Sequence, residues 1–163
     1  MRPDPGRPDP GRPDQGRPEQ GRPDGGRGDN SAETIPIRAG ADVSRVRRAV
    51  ADAMAIIGAS RIETTRMVTA ASELARNALD YGGGGEVLIA VVGRMSRRKV
   101  EITFTDQGPG IPDIAQALKD GYSTGGGLGL GLGGARRLCK EFEIRSTPGE
   151  GTIVKVASWT ERP

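Results

Sequence analysis

The segment Asp106-Gln107-Gly108-Pro109-Gly110, followed seventeen residues after Gly110 by the alternating run Gly127-Leu128-Gly129-Leu130-Gly131-Leu132-Gly133, constrains this chain more than any other stretch. Val100, Ile102 and Phe104 alternate with Glu101, Thr103 and Thr105, the period of a strand with one buried face. Asp106 continues the parity of the apolar set. If the strand stays regular, its carboxylate points toward the buried side, where it needs hydrogen-bond donors. The glycines that follow let a flat group approach the backbone closely. Residues 125–134 hold seven glycines, with leucines at 128, 130 and 132. Regularly spaced leucines are not needed in a flexible linker. The run reads as a glycine loop opening a helix, with backbone N–H groups turned toward an anion. Neither piece is decisive alone: the first also fits an Asp-x-Gly turn, and the second also fits a mobile hinge.

The rest of the chain arranges itself around these two pieces. Residues 2–26 are five copies of a pentapeptide, RPDPG, RPDPG, RPDQG, RPEQG and RPDGG, each with one arginine, one acid and almost nothing apolar. Such a segment cannot bury enough surface to offset its ordering entropy, so residues 1–30 are expected to be a disordered tail. It lacks the glycine at every third position of collagen, and it reads as a spacer or a docking tail. A single folded domain is expected over 31–163. Thr34–Arg38 reads as a short strand, placed at a sheet edge by Pro36. Asp42 is expected to cap a helix with Val43, Val46, Val50, Met54 and Ile57 on its apolar face, ended by Gly58. Ser60 and Glu63 have the spacing of a capping box for a second helix reaching Tyr81, which should bury Ile62, Met67, Ala71, Leu74 and Ala78. The continuous apolar run in Glu86–Gly93 suits a strand buried on both faces. A short helix is expected over Pro112–Asp120 and another over Leu128–Glu141. A hairpin of Phe142–Ser146 and Gly151–Trp159 is expected to close the fold. The predicted class is α+β, with helices on one face of a mixed, mostly antiparallel sheet.

Composition narrows the chemistry. Histidine is absent from the 163 residues, which excludes a Ser-His-Asp triad, a histidine metal site and a phosphohistidine relay within this chain. Any general base must then be a carboxylate, a lysine or a tyrosine. Cys139 has no internal disulfide partner, which fits a reducing cytoplasm. No apolar run has transmembrane length and no signal segment follows Met1, so no membrane partner is expected. Aromatics are 3% of residues, too few for the stacking platforms of single-stranded nucleic acid. The net charge of +3 is spread over pairs such as Arg47-Arg48 and Arg136-Arg137, which read as solvated faces.

Glu73 and Asn77 lie four apart on the second expected helix and so share a face. A carboxylate there can take a proton from a hydroxyl, and an amide oxygen one turn on can ligate a hard cation such as Mg²⁺. Surface Glu/Asn pairs at this spacing are common, so the pair acquires meaning from its company. With Asp106 and the glycine run it makes a three-part nucleotide site.

These pieces, in this order, resemble the GHKL ATPase superfamily, which includes gyrase-type, chaperone, mismatch-repair and histidine-kinase ATP-binding domains. Residues 72–81 resemble its N-box, residues 106–111 its first glycine box, residues 127–133 its second, and residues 146–152 its closing Gly-x-Gly-Thr element. The resemblance covers about residues 34–159 and implies the GHKL two-layer sandwich. Within the superfamily, the compact size and the segment 120–132 are most similar to bacterial serine-protein kinases of sigma-factor partner switching, both stressosome switch kinases and anti-sigma-factor kinases. That likeness implies transfer of the ATP γ-phosphate to a serine or threonine of a STAS-domain antagonist. A phosphatase or a sigma factor is implied as a further partner, and a homodimer is left open. Carried over by position, Glu73 would be the base and Asn77 the Mg²⁺ ligand. Asp106 would accept from the adenine amine, with Gly108 and Gly110 shaping the base pocket. Gly127, Gly129, Gly131 and Gly133 would line the phosphates, Thr152 would reach the base through water, and Arg76 would touch phosphate or substrate. Many relatives carry histidine near Tyr81, where this chain has Asp80-Tyr81. The alternative function is an anti-sigma factor or ATP-gated binding module with little kinase activity. A histidine kinase is disfavoured because no histidine-bearing helix precedes the domain, and gyrase-type and chaperone ATPases because they need further domains.

Overall fold

A computed structural model describes residues 30–94, 98–119 and 130–160. The pentapeptide repeats therefore lie outside the described residues, as do Gly127 and Gly129 of the glycine run. The element order is β1 (Ser31–Ile37), α1 (Gly40–Ile56), α2 (Arg61–Asp80), β2 (Gly85–Val92), β3 (Lys99–Asp106), α3 (Ile114–Ala117), α4 (Gly131–Leu138), β4 (Glu141–Thr147) and β5 (Gly151–Trp159). The five strands form one sheet in the order β1-β2-β3-β5-β4. Among the described residues all four pairings are antiparallel, where a mixed, mostly antiparallel sheet was expected. Pro36 sits on the edge strand β1, where its missing N–H costs no second ladder.

The two long helices form because their first turns are satisfied by side chains. Ser60 Oγ accepts from the Glu63 N–H at 3.2 Å, and Glu63 Oε2 accepts from the Ser60 N–H at 2.8 Å, the reciprocal box expected from the sequence. At α1 the expectation was one turn off. Ala39 is the N-cap residue, and Asp42 lies inside the helix, its Oδ2 accepting from the N–H groups of Arg38 and Ala39. Asp42 still satisfies orphan donors at the helix start, but by reaching back rather than forward. Gly58, at φ 71°, ends α1 as expected.

The apolar faces of α1 and α2 lie on the inner face of the sheet. Met54, Met67, Leu74, Ile102 and Val156 are all below 3% exposed, and each buried side chain of this size contributes about 1.5–3 kcal/mol. Two burial expectations fail. Ile62 is 71% exposed, because it lies in the first turn of α2, before the helix meets the sheet. The run in β2 is buried on one face only: Val87, Ile89 and Val91 point inward, and Leu88 is 42% exposed. No second layer covers that outer face among the described residues. It carries the ion-paired set Lys99, Glu101, Glu141 and Lys155.

Candidate nucleotide site

One end of the sheet gathers the predicted pieces. β3 ends at Asp106, β5 begins beside it, and α2 stops above them. Asp106 pairs in register with Thr152, and Thr152 with Ser146, so carboxylate and two hydroxyls form one transverse row across β3, β5 and β4. The end of α2 is turned off by its own carbonyls: Asn77 O accepts from Tyr81 and Gly82, and Ala78 O from Gly84. That turn lays Gly82 against Asp106. A Cβ at Gly82 would fall 2.5 Å from Asp106 Cβ and Cγ, and one at Gly108 would fall 2.6 Å from Gly82 Cα. Both positions need glycine for close approach of two backbones.

The loop after Asp106 is fastened to the β4–β5 hairpin. The Gly149 N–H donates to Pro109 O at 2.8 Å, and the Ile111 N–H donates to Ser146 Oγ at 2.8 Å. Gly110 has φ 73° and would drive a Cβ into the Thr147 carbonyl. Asp106 Oδ1 accepts from the Gly108 N–H at 2.9 Å, closing a tight turn and leaving Oδ2 for a donor in the space beyond.

That space is a cavity of about 290 Å³, open to solvent. Asn77, Asp106, Gly110, Gly131 and Thr152 line it together, with apolar walls from Leu74, Ala78, Phe104, Leu132 and Val154. Asp106 is the single charged side chain among its described lining residues. The shape suits a flat, largely apolar group with an amine at the Asp106 end. No lysine or arginine among the described residues lines it.

Not every predicted residue joins this cavity. Gly108 supports the wall from behind. Gly133 is turned toward the Leu118 carbonyl at the end of α3. Glu73 is 5% exposed and lines a second cavity, of about 200 Å³, between α1 and α2, with Arg47, Ser72 and Arg76. Glu73 and Asn77 are thus neighbours on α2 that face two different spaces. Tyr81 and Gly82 also line the cavity, and neither is among the residues expected to contact the ligand. The four-glycine run directly after the N-box was the available signal.

The family described as histidine kinase-, DNA gyrase B- and HSP90-like ATPase matches residues 62–162. The chain is similar to the serine/threonine-protein kinase RsbT of Bacillus subtilis (strain 168), 45% identical over 103 residues, covering 63% of this chain and 77% of that protein. It is also similar to the anti-sigma F factor of Pasteuria penetrans, 33% identical over 66% of this chain and 76% of that protein. Among solved structures, the RsbU and RsbW domains of Rv1364c from Mycobacterium tuberculosis superpose with a TM-score of 0.57 at 21% identity, covering 82% of this chain and 33% of that one. This last likeness concerns the fold.

Proposed function

The chain belongs to the histidine kinase-, DNA gyrase B- and HSP90-like ATPase family and, within it, to the partner-switching serine/threonine-protein kinases, and on that premise we propose that it phosphorylates a serine or threonine of a STAS-domain antagonist. The observation that carries the reading is the joint lining of one cavity by Asn77, Asp106, Gly110, Gly131 and Thr152, residues drawn from four separate segments. Asp106 Oδ2 accepts from the exocyclic amine of adenine, and the ring lies between Phe104, Val154 and the backbone of Gly82 and Gly110. The phosphates run toward the start of α4, where Gly131 lines the cavity; Gly127 and Gly129, outside the described residues, are assigned to them by the resemblance, and Gly133, turned toward the Leu118 carbonyl, is not.

Transfer forms a bond between the acceptor hydroxyl oxygen and the γ-phosphorus and breaks the bond to the β–γ bridging oxygen. ADP leaves, and the hydroxyl proton is assigned to Glu73 by its N-box position, although its side chain lines the cavity between α1 and α2 and not the one that holds the nucleotide. Most of the rate in such reactions comes from positioning and charge stabilisation. Among the described residues no three His, Cys, Asp or Glu side chains gather into a metal site. A Mg²⁺ ion would therefore take most of its oxygens from phosphates, with Asn77 as the protein ligand, a common arrangement for this ion. When bound, it neutralises phosphate charge. Among the described residues no helix is long and apolar enough to cross a membrane, and we place the chain in the cytoplasm.

The second reading, a sigma-factor-binding regulator, is favoured by the several similar proteins that are anti-sigma F factors. Transfer from labelled ATP to cognate STAS proteins separates the two. The kinase reading expects transfer by the wild type. Glu73→Ala should keep ATP affinity and lose most transfer, and Asn77→Ala should lose both transfer and Mg²⁺-dependent affinity. Full transfer by folded Glu73→Ala removes the base assignment. A wild type that binds a partner but transfers to none supports the regulator.

A further inference from the structure

We propose that Ser146, which does not line the nucleotide cavity, is a positioning residue that makes the Thr152 hydroxyl an acceptor and so selects a 6-amino purine over a 6-oxo purine. The inference rests on the nucleotide reading of the cavity. Ser146 Oγ has three polar neighbours: the Ile111 N–H at 2.8 Å, the Gly151 carbonyl at 3.0 Å and Thr152 Oγ1 at 2.8 Å. It owns one proton. The amide can only donate to it and the carbonyl can only accept from it. If Ser146 gave its proton to Thr152, two lone-pair-bearing oxygens would face each other at 3.0 Å across the Gly151 contact. Giving the proton to Gly151 satisfies all three contacts, and then Thr152 must donate to Ser146.

The consequence falls inside the cavity. With its proton turned back toward β4, Thr152 presents only lone pairs to a ligand. Asp106, its register partner, also presents lone pairs through Oδ2. The two polar side chains of this row that line the pocket therefore both present acceptors. An exocyclic amine supplies donors to them, whereas a keto oxygen meets like charge. Ser146 also holds the Ile111 N–H, so one hydroxyl ties the loop after Asp106 to the strand that carries Thr152. Discrimination of this kind is large where a site's polar groups would otherwise be left unmatched.

The test is calorimetric titration of the full chain with ATP and with inosine triphosphate. Ser146→Ala frees the Thr152 hydroxyl to turn and donate inward. ATP affinity should fall about tenfold while inosine triphosphate affinity changes less, so the preference between them narrows. Ser146→Thr, which keeps the hydroxyl, should restore the preference. Thr152→Val should abolish the effect of Ser146→Ala on the preference, so that the double variant discriminates between the two nucleotides no less than Thr152→Val alone. A folded Ser146→Ala with an unchanged preference, a further narrowing of the preference in the double variant, or no rescue by Ser146→Thr would overturn the inference and leave the nucleotide reading standing. A wild type that binds neither nucleotide would overturn both.

Discussion

At the scale of single residues, Asp106 is where sequence and structure agree most closely. Strand parity alone put its carboxylate on the side of Val100, Ile102 and Phe104, and the structure opens that side into a cavity. One carboxylate oxygen is used internally by the Gly108 N–H, and the proposed contact with the adenine amine falls to the other. Asp106→Asn keeps the shape but can turn an amide donor toward the adenine amine. A lost charge-assisted hydrogen bond is worth about 1.5–3 kcal/mol, so ATP affinity should fall roughly ten- to a hundredfold. Calorimetry on the folded variant decides it, and unchanged affinity would remove Asp106 from the base pocket. Other residues were less legible. Gly82 faces Asp106 because α2 turns off within one residue of Tyr81, and no pattern in a run of four glycines says which one makes the contact. Glu73 and Asn77 are one turn apart, yet the 40° offset between i and i+4 on a helix suffices to give them different cavities.

At the scale of elements, period and caps carried most of the information. Ser60 and Glu63 were read as a box and are one. Ser60→Ala should cost about 1 kcal/mol in urea unfolding at pH 7, since it frees the Glu63 N–H. The carboxyl of Glu63 is held below its ordinary range by the N–H of Ser60 and then by its side chain. A depressed folded value means the contribution is complete above the unfolded glutamate value of about 4.3 and is lost as pH falls through the lower folded value. The stability difference between wild type and Glu63→Gln should therefore be flat from pH 8 to 5 and shrink below pH 4. A difference that grows on acidification would remove the box as its source. The misplacement of the α1 cap has a plain cause: Asp42 can satisfy the helix start from inside the helix as well as from before it. The β2 error is similar in kind. A run of Val, Leu, Ile and Ala fits two buried faces, but only a second layer makes the outer face buried, and β2's own residues say nothing of that layer.

At the scale of the whole molecule, Cys139 offers a probe of how the domain opens. It follows α4 and precedes β4, half-buried, with its Sγ 3.9 Å from Met67 Sδ on α2. Burial pushes its thiol up to about 12, which leaves little thiolate at neutral pH. Alkylation at pH 8 should be far slower than for an unfolded peptide cysteine and should accelerate on urea unfolding. If labelling requires global opening, a ligand that binds only the folded state must slow it. At a free ATP concentration of 100 times Kd the stabilisation is about 2.7 kcal/mol, or roughly a hundredfold in labelling rate when reclosing outpaces reaction. In Asp106→Asn, whose Kd should be roughly ten- to a hundredfold higher, the same ATP is only about 1–10 times Kd and should slow labelling only about two- to tenfold. Fast labelling of the native chain, insensitive to ATP, would mean that the junction of α4 and β4 opens locally while the nucleotide cavity stays intact. The cavity spans α2, β3, β5 and α4, so such independence would contradict the single cooperative core from which this site is built.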